Sequence, residues 1–339
     1  MFGPSHGWVR HGWRVARHVA PYLATPVRIL AREIRRSSCG AILCQEYESP
    51  RFDASVVIGR LLRIPVFATF QGGNWQRSVI ERHLRPYTLR RCAGLIIGSS
   101  IEAARVQARY GMQPERICRT FNALDLHQWR PGSRQDARRA LGIAGTTRVA
   151  IWHGRVDIRT KGLDVLLEAW QVVCARRSGQ DILLMLVGSG ADADRLDEAI
   201  TRREITHLRW IREYVLDRAR VRQCLHAADV YVFPSRREGF PVAPLEAMAC
   251  GLPVVAAAVA GIADIFDTGE ACGGVIVPSG DPIALARHLG RLLDDEPLAR
   301  SLGARARTRV ERAFSPLTVG PQLHTFFLTR GGFGARRGP

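Results

Sequence analysis

Forty-eight of the 49 basic residues in this 339-residue chain are arginine, and the single lysine stands at position 161. A composition pushed towards arginine keeps a lysine where a compact ammonium is needed and a planar fork will not serve, as against a phosphate in a tight pocket. Arg155 follows Gly154 at the end of the apolar run RVAIWHG (148–154), and Lys161-Gly162 opens the helical pattern behind it. One cation then lies at a strand's carboxyl edge and the other beside a helix N-terminus. Together they can address one diphosphate and, with the helix dipole, neutralise charge developing on a leaving phosphate.

A second group lies in SRREGFPVAPLEAMACG (235–251). The strand DVYVFPS (229–235) runs into a turn holding Glu238 and Gly239, Pro244 suits the first turn of a helix, and Gly251 suits its end. Glu246 then falls near the exposed N–H groups of that helix. A carboxylate there can accept hydrogen bonds from two vicinal hydroxyls, as a ribose presents them, and the amides of the preceding turn can bind phosphate or sugar oxygens. Taken singly, Arg155 suits an exposed surface, Glu238 a solvated carboxylate and Glu246 a partner for the helix dipole. The spacing, not any one residue, carries the functional reading.

These side chains need strands and helices to hold them. Val27, Leu30, Ala31 and Ile34 recur on one helical face, AILCQ (41–45) follows as a strand, and the order repeats. The pattern predicts a helix near 53–63, a strand at 64–70, a helix near 77–92, a strand at 94–100, a helix near 101–110 and a strand near 116–121. Polar, glycine-containing sequence at 131–147 reads as an interdomain link. A second series begins at 148, with Leu163, Leu166, Leu167 and Trp170 on one helical face and DILLMLVG (181–188) as a buried strand. Strand 229–235, a helix near 243–250, a strand near 253–258 and a helix near 282–293 complete it. Alternating strands and helices imply parallel sheets in an α/β chain. The expected division is 1–145, 146–315, a C-terminal helix at 316–330 packing back on the first domain, and a basic tail at 331–339.

Several chemistries are disfavoured. GSGADA (188–193) lacks the third glycine of a dinucleotide fingerprint, and the lone lysine follows Thr160 instead of closing a phosphate-binding P-loop. The eight cysteines show no metal-ligand spacing and suit buried thiols in a reducing compartment. The uncharged stretch Ala247 to Ala263 is broken by Gly251 and Pro253 and is shorter than the ~20 apolar residues of a membrane span. With no apolar leader at the N-terminus, a cytoplasmic location is expected. Net charge is +18, and it is lopsided: residues 1–145 carry 23 arginines against 9 acidic residues. Such a field draws an anionic acceptor, an anionic membrane surface or nucleic acid. No nucleic-acid-binding module or interleaving of basic and aromatic residues accompanies it, so nucleic acid is the disfavoured partner.

The segments HGRVDIRTKGLDVLLEAW, LLMLVGSG and VFPSRREGFPVAPLEAMACGLPVVAAAVAGIADI resemble the C-terminal half of family-4 retaining glycosyltransferases of GT-B fold. The spacing of Glu238 and Glu246, with G-R and K-G upstream, is similar to that family's signature, and NALDLHQWRP (122–131) to its segment before the link. The resemblance implies two doubly wound Rossmann-like domains facing a cleft. It also implies metal-independent transfer from a UDP- or GDP-linked sugar to a hydroxyl of a glycan, lipid-linked or small-molecule acceptor, with retained anomeric configuration and no cofactor. By it, Arg155 and Lys161 contact the diphosphate, Glu246 the ribose, and Glu238 with Gly239 and Phe240 the transferred sugar, with Gly154 also on the donor side. The donor's own phosphate then helps to deprotonate the acceptor hydroxyl.

The chain departs from that pattern at three places. Gln71, followed by Gly72 and Gly73, stands where family members commonly carry a histidine; these three are the acceptor-side candidates. Pro241 replaces a common glycine and removes one backbone donor. Only one doubtful strand, WRVARHV, precedes residue 26, so the first domain is expected to lack its first strand and Met1 to be an internal or mis-assigned start. Two alternatives stand beside the transferase: a catalytically silent nucleotide-sugar binder, favoured by Gln71, and a basic nucleic-acid-binding protein. A pyridoxal phosphate phosphorylase would claim the same lone lysine and is disfavoured. Peripheral contact with an anionic inner membrane face remains compatible with the charge.

Overall fold

The computed structural model describes residues 19–72, 79–177 and 179–332. They divide into two compact units, one running to Thr120 and resuming at Pro321, the other Phe121–Gly320. Each is an all-parallel sheet with helices between its strands.

In the first unit the sheet takes β1 (Ile42–Cys44), β2 (Val66–Thr69), β3 (Gly94–Ile96) and β4 (Ile117–Cys118) in chain order. Between and before them lie α1 (Val27–Arg36), α2 (Pro50–Leu62), α3 (Val79–Arg91) and α4 (Ser100–Tyr110). Phe52 and Val56 from α2, Leu89 from α3 and Val106 from α4 close on Val66 and Leu95 of the sheet. Under this layer Asp53 is fully buried and paired with Arg85 at 2.9 Å, and it also accepts hydrogen bonds from Thr88 and Tyr22. The segment WRVARHV lies outside the described residues except for Val19, which is helical. Most of the basic tail, from residue 333, lies outside them as well.

In the second unit, β5 (Arg148–His153), β6 (Ile182–Val187), β7 (Leu208–Ile211), β8 (Val230–Phe233), β9 (Val254–Ala257) and β10 (Gly274–Val277) align as β10-β9-β8-β5-β6-β7. Val149 and Ile151 enter one core and Ala150 and Trp152 the other, so β5 is covered on both faces. Counted from β5 this is the 3-2-1-4-5-6 order of a doubly wound sheet, and its direction reverses between β5 and β8. Leu163, Leu166, Leu167 and Trp170 are buried together on one face of their helix, as their periodicity predicts.

The stretch 131–147 is not a bare link. It contains α5 (Arg134–Leu141), whose N-cap Ser133 accepts from the Asp136 amide and whose end is a left-handed Gly142. Arg138 of this helix is buried against Asp229, which explains how so polar a segment belongs to the second unit. The remaining helices are α6 (Ile158–Lys161), α7 (Leu163–Ala175), α8 (Ala193–Arg202), α9 (Arg218–Ala227), α10 (Ala243–Ala249), α11 (Ile262–Ile265), α12 (Pro282–Asp294), α13 (Glu296–Ala313) and α14 (Pro316–Gly331). From Pro321 onward α14 belongs to the first unit, where Phe326 and Phe327 set their rings against Phe67 at 5.7 and 4.8 Å. Among the described residues no helix is long and apolar enough to cross a membrane.

Candidate functional site

In a doubly wound sheet ligands bind where strand order reverses, which here is at the carboxyl ends of β5 and β8. His153, Gly154 and Arg155 leave β5 there, and Pro234 and Ser235 leave β8. The chain after β5 is held by its neighbour: the Gly154 amide donates to Val187 O at 3.0 Å and the Val156 amide to Ser189 O at 3.0 Å. This contact needs glycine. A Cβ on Gly188, whose φ is +136°, would collide with the Gly154 carbonyl, and one on Gly190 would collide with Val156.

Lys161 ends the four-residue α6, where the sequence pattern predicts the opening of a longer helix. Asp157 caps α6 by accepting from the Thr160 amide at 2.9 Å, and Gly162, at φ +64°, breaks the helix before α7. Gly162 has no room for a side chain because the Pro234 carbonyl lies against it, which brings Lys161 to the end of β8. The Arg236 amide donates to Thr160 O at 2.9 Å and its guanidinium forks onto Asp164 at 2.6 and 2.7 Å, tying the same two segments together.

Two carboxylates receive donors here. Lys161 Nζ lies 2.6 Å from Glu238 Oε1, to which the buried Ser235 hydroxyl also donates at 2.9 Å. His153 Nε2 lies 2.8 Å from Glu246 Oε2, and the ring of Tyr231 meets the imidazole edge-on at 5.3 Å. Glu246 sits in the first turn of α10, with Pro244 beside it and Gly251 left-handed after the helix, as the sequence predicts. Burial, and then the nearby Glu246 and Glu238, push the Tyr231 hydroxyl well above its ordinary range, so it stays protonated and donates to His153 O. Burial opposes ionisation of Asp157, but the Thr160 amide and hydroxyl, Arg155 and Lys161 hold its carboxyl below the usual range. The exposed Arg155 has no ion-pair partner among the described residues.

Gly239 is buried, and the Phe240 ring stacks on Phe121 at 5.2 Å and lies 6.1 Å from Phe314. With that ring occupied by its aromatic neighbours, what Gly239 and Phe240 can offer a ligand is backbone. His153 was not singled out from the sequence, because a lone histidine ending an apolar strand has no patterned companion. The acceptor-side candidates belong to the first unit: the Gln71 amide donates to Glu46 Oε2 at 2.9 Å and its side chain to Thr69 Oγ1 at 3.0 Å, Gly72 follows it, and Gly73 lies outside the described residues. At the opposite edge of the second sheet, where β5 and β8 begin, a cavity of about 300 Å³ is lined by Arg134, Arg148, Asp229 and Glu296. Those four are paired with one another and none of the candidate residues reaches it.

The pattern of the glycosyl transferases group 1 family matches residues 133–309, just over half of the chain. This chain belongs to that family. The match takes in Arg155, Lys161, Glu238 and Glu246, and hence the whole constellation at the strand reversal. Among curated proteins this group 1 chain is similar to D-inositol 3-phosphate glycosyltransferase 1 of Catenulispora acidiphila, 35% identical over 219 residues, 62% of this chain and 51% of that protein. The chain spans about half the length of the curated relatives it matches. Its fold is similar to that of HepE of Anabaena in complex with UDP, with a TM-score of 0.74 at 19% identity, covering 91% of this chain and 83% of that one. It is also similar to sucrose-phosphate synthase of Thermosynechococcus elongatus, with a TM-score of 0.72 at 24% identity, covering 91% and 77%. At these identities the likeness speaks for fold alone, and the fold is GT-B: two parallel-sheet α/β domains.

Proposed function

We propose that this group 1 family member is a family-4 retaining glycosyltransferase, moving a sugar from a nucleotide-diphosphate donor to an acceptor hydroxyl. The observation that carries the reading is the meeting of Lys161 and Glu238 at 2.6 Å at the strand reversal, with Glu246 held on the adjoining helix turn. Lys161 has three donor hydrogens and gives one to Glu238, so two remain for a diphosphate, and the exposed Arg155, without an ion-pair partner among the described residues, supplies a second cation from the turn after β5. Glu246 takes the ribose hydroxyls, and Glu238 with the backbone of Gly239 and Phe240 takes the sugar. As the bond from the anomeric carbon to the diphosphate breaks and the bond to the acceptor oxygen forms, the acceptor proton passes to the departing phosphate. The two cations stabilise the charge left there.

HepE, a structural neighbour, is in complex with UDP, which makes uridine the first base to try. The relative that acts on an inositol phosphate makes a small phosphorylated polyol the first acceptor. The excess of 23 arginines over 9 acidic residues in positions 1–145 suits such an anionic acceptor or an anionic lipid surface, and Gln71 offers the acceptor a hydrogen-bonding amide. The test is a calorimetric screen of the whole chain against uridine and guanosine diphosphate sugars. Saturable binding to one of them, followed by release of the nucleoside diphosphate with an acceptor present, is expected. Failure to bind any would end the reading, and binding without turnover with any acceptor would leave the silent binder in its place.

A further inference from the structure

We infer that His153 is the positioning residue for the nucleotide carboxylate: its Nε2–H holds Glu246 in the rotamer that receives a nucleoside diphosphate. The inference rests on the assignment of Glu246 to the donor nucleotide and adds a residue that this assignment leaves out. His153 Nε2 stands 2.8 Å from Glu246 Oε2, a contact joining the last residue of β5 to the first turn of α10 across the strand reversal. The imidazole is nine-tenths buried and has little freedom to turn, because the Tyr231 ring meets it edge-on, and the Tyr231 hydroxyl holds the backbone carbonyl of His153.

The tautomer follows from the hydrogen bonds. Glu246 is an acceptor, so the hydrogen belongs on Nε2, and Nδ1 has no hydrogen-bond partner among the described residues. A hydrogen on Nδ1 instead would be buried with nothing to receive it and would set the Nε2 lone pair against the Glu246 carboxylate. The arrangement divides labour between the two carboxylates. Glu238 is matched by an ammonium and a hydroxyl, and Glu246 by an imidazole N–H alone among the described side chains. That hydrogen bond takes one of about four lone-pair sites of the carboxylate, leaving the others for two vicinal hydroxyls. Lysine or arginine in its place would put a further cation beside the diphosphate site. An apolar residue would leave Oε2 without its donor and the side chain free to rotate.

The experiment compares affinities of the whole chain for UDP and UDP-glucose, measured by calorimetry, with steady-state kinetics alongside. His153→Phe is expected to weaken UDP binding ~10-fold, the range of one hydrogen bond to a charged group, with most of the loss falling on the donor KM and less on kcat. His153→Gln, whose amide nitrogen reaches the place of Nε2, is expected to recover most of it, which a merely space-filling role would not allow. In a Glu246→Ala background, which removes the acceptor, His153→Phe is expected to cost little more. Nitrogen-15 NMR of the unliganded protein supplies a readout independent of ligand and of substitution: His153 carries its hydrogen on Nε2, and finding it on Nδ1 would overturn the inference. If His153→Phe bound UDP as well as the parent while Glu246→Ala did not, the inference would fall and the site assignment would stand. If the parent chain bound no nucleotide, both would fall together.

Discussion

Lys161 and Glu238 stand 77 positions apart in sequence, and their side chains meet at 2.6 Å. The chain brings them together by backbone: Gly162 presses on the Pro234 carbonyl, and the Arg236 amide bonds Thr160 O. The ammonium is thus oriented before any ligand arrives, which is the condition under which a charged donor contributes most to a developing charge.

Lys161→Ala is accordingly expected to lower turnover by ~100-fold, the effect of removing one preoriented donor. Lys161→Arg is not expected to restore it, because the larger, planar guanidinium does not fit the part-buried place beside Glu238 that holds a compact ammonium. Initial rates of nucleoside diphosphate release at saturating donor measure this. A loss of less than ~3-fold would remove Lys161 from the leaving-group role assigned by the same principle.

Glu246→Gln is expected to weaken nucleoside diphosphate affinity more than Glu238→Gln does, since only Glu246 is assigned to the ribose. Calorimetric titration with UDP, which carries no sugar on its diphosphate, isolates that difference. The opposite ordering would exchange the two roles.

Gly188→Ala tests the positioning of the chain after β5. A new Cβ would meet the Gly154 carbonyl, so the 154–156 turn has to move away from β6 and carry Arg155 with it. UDP affinity should fall by at least ~10-fold, about 1.4 kcal/mol, in a protein whose circular dichroism at 25 °C is unchanged. Unaltered affinity would show that Arg155 is not held from that side.

Asp229→Asn is expected to destabilise the second unit by ~3–5 kcal/mol, the cost of removing one partner from a buried charge cluster. Asp229 accepts from Arg134, from Arg138 at 2.7 Å and from the Val149 amide at 2.8 Å. Burial, with Arg134 and Arg148 close by, already lowers the affinity of Arg138 for its proton, against the pull of Asp229. Urea unfolding reads the loss, and UDP affinity measured well below the transition should not change.

Alkaline stability has its own signature. Burial pushes the thiols of Cys92 and Cys250 up to about 12 and that of Cys224 to about 11. Each is raised above its unfolded value, so the stabilisation is complete below the ordinary thiol range near pH ~8.5 and is lost as pH rises towards 11–12. Between those limits each thiol takes away ~1.4 kcal/mol per pH unit. Melting temperatures from pH 8 to 11 should fall, and Cys92→Ala should make the fall shallower. An equal slope in that variant would refute the assignment.

Periodicity carried most of the fold. Leu163, Leu166, Leu167 and Trp170 announced α7, and the uninterrupted apolar run at 181–188 announced β6, because strands and helices covered on their inner faces must repeat apolar residues at fixed intervals. The link reading at 131–147 went wrong because α5 has only Ala137 and Arg138 buried, so its helical signal lay in the caps, Ser133 and Gly142, and not in an apolar face. The four-residue β7 and β10 were too short for alternation to show. Of the site, the cations and carboxylates were legible as a spaced set. The His153–Glu246 contact was not, since it exists only once β5 and β8 lie side by side.

The Asp229 cluster and the Lys161–Glu238 pair occupy opposite rims of one sheet, one where β5 and β8 start and the other where they finish. Variation is therefore partitioned along the strands. With the donor site proposed at the Lys161 rim, substitutions that raise heat tolerance can accumulate at the arginine-rich rim without retuning which molecule is selected, and selectivity can drift at the far rim without unravelling the scaffold beneath it.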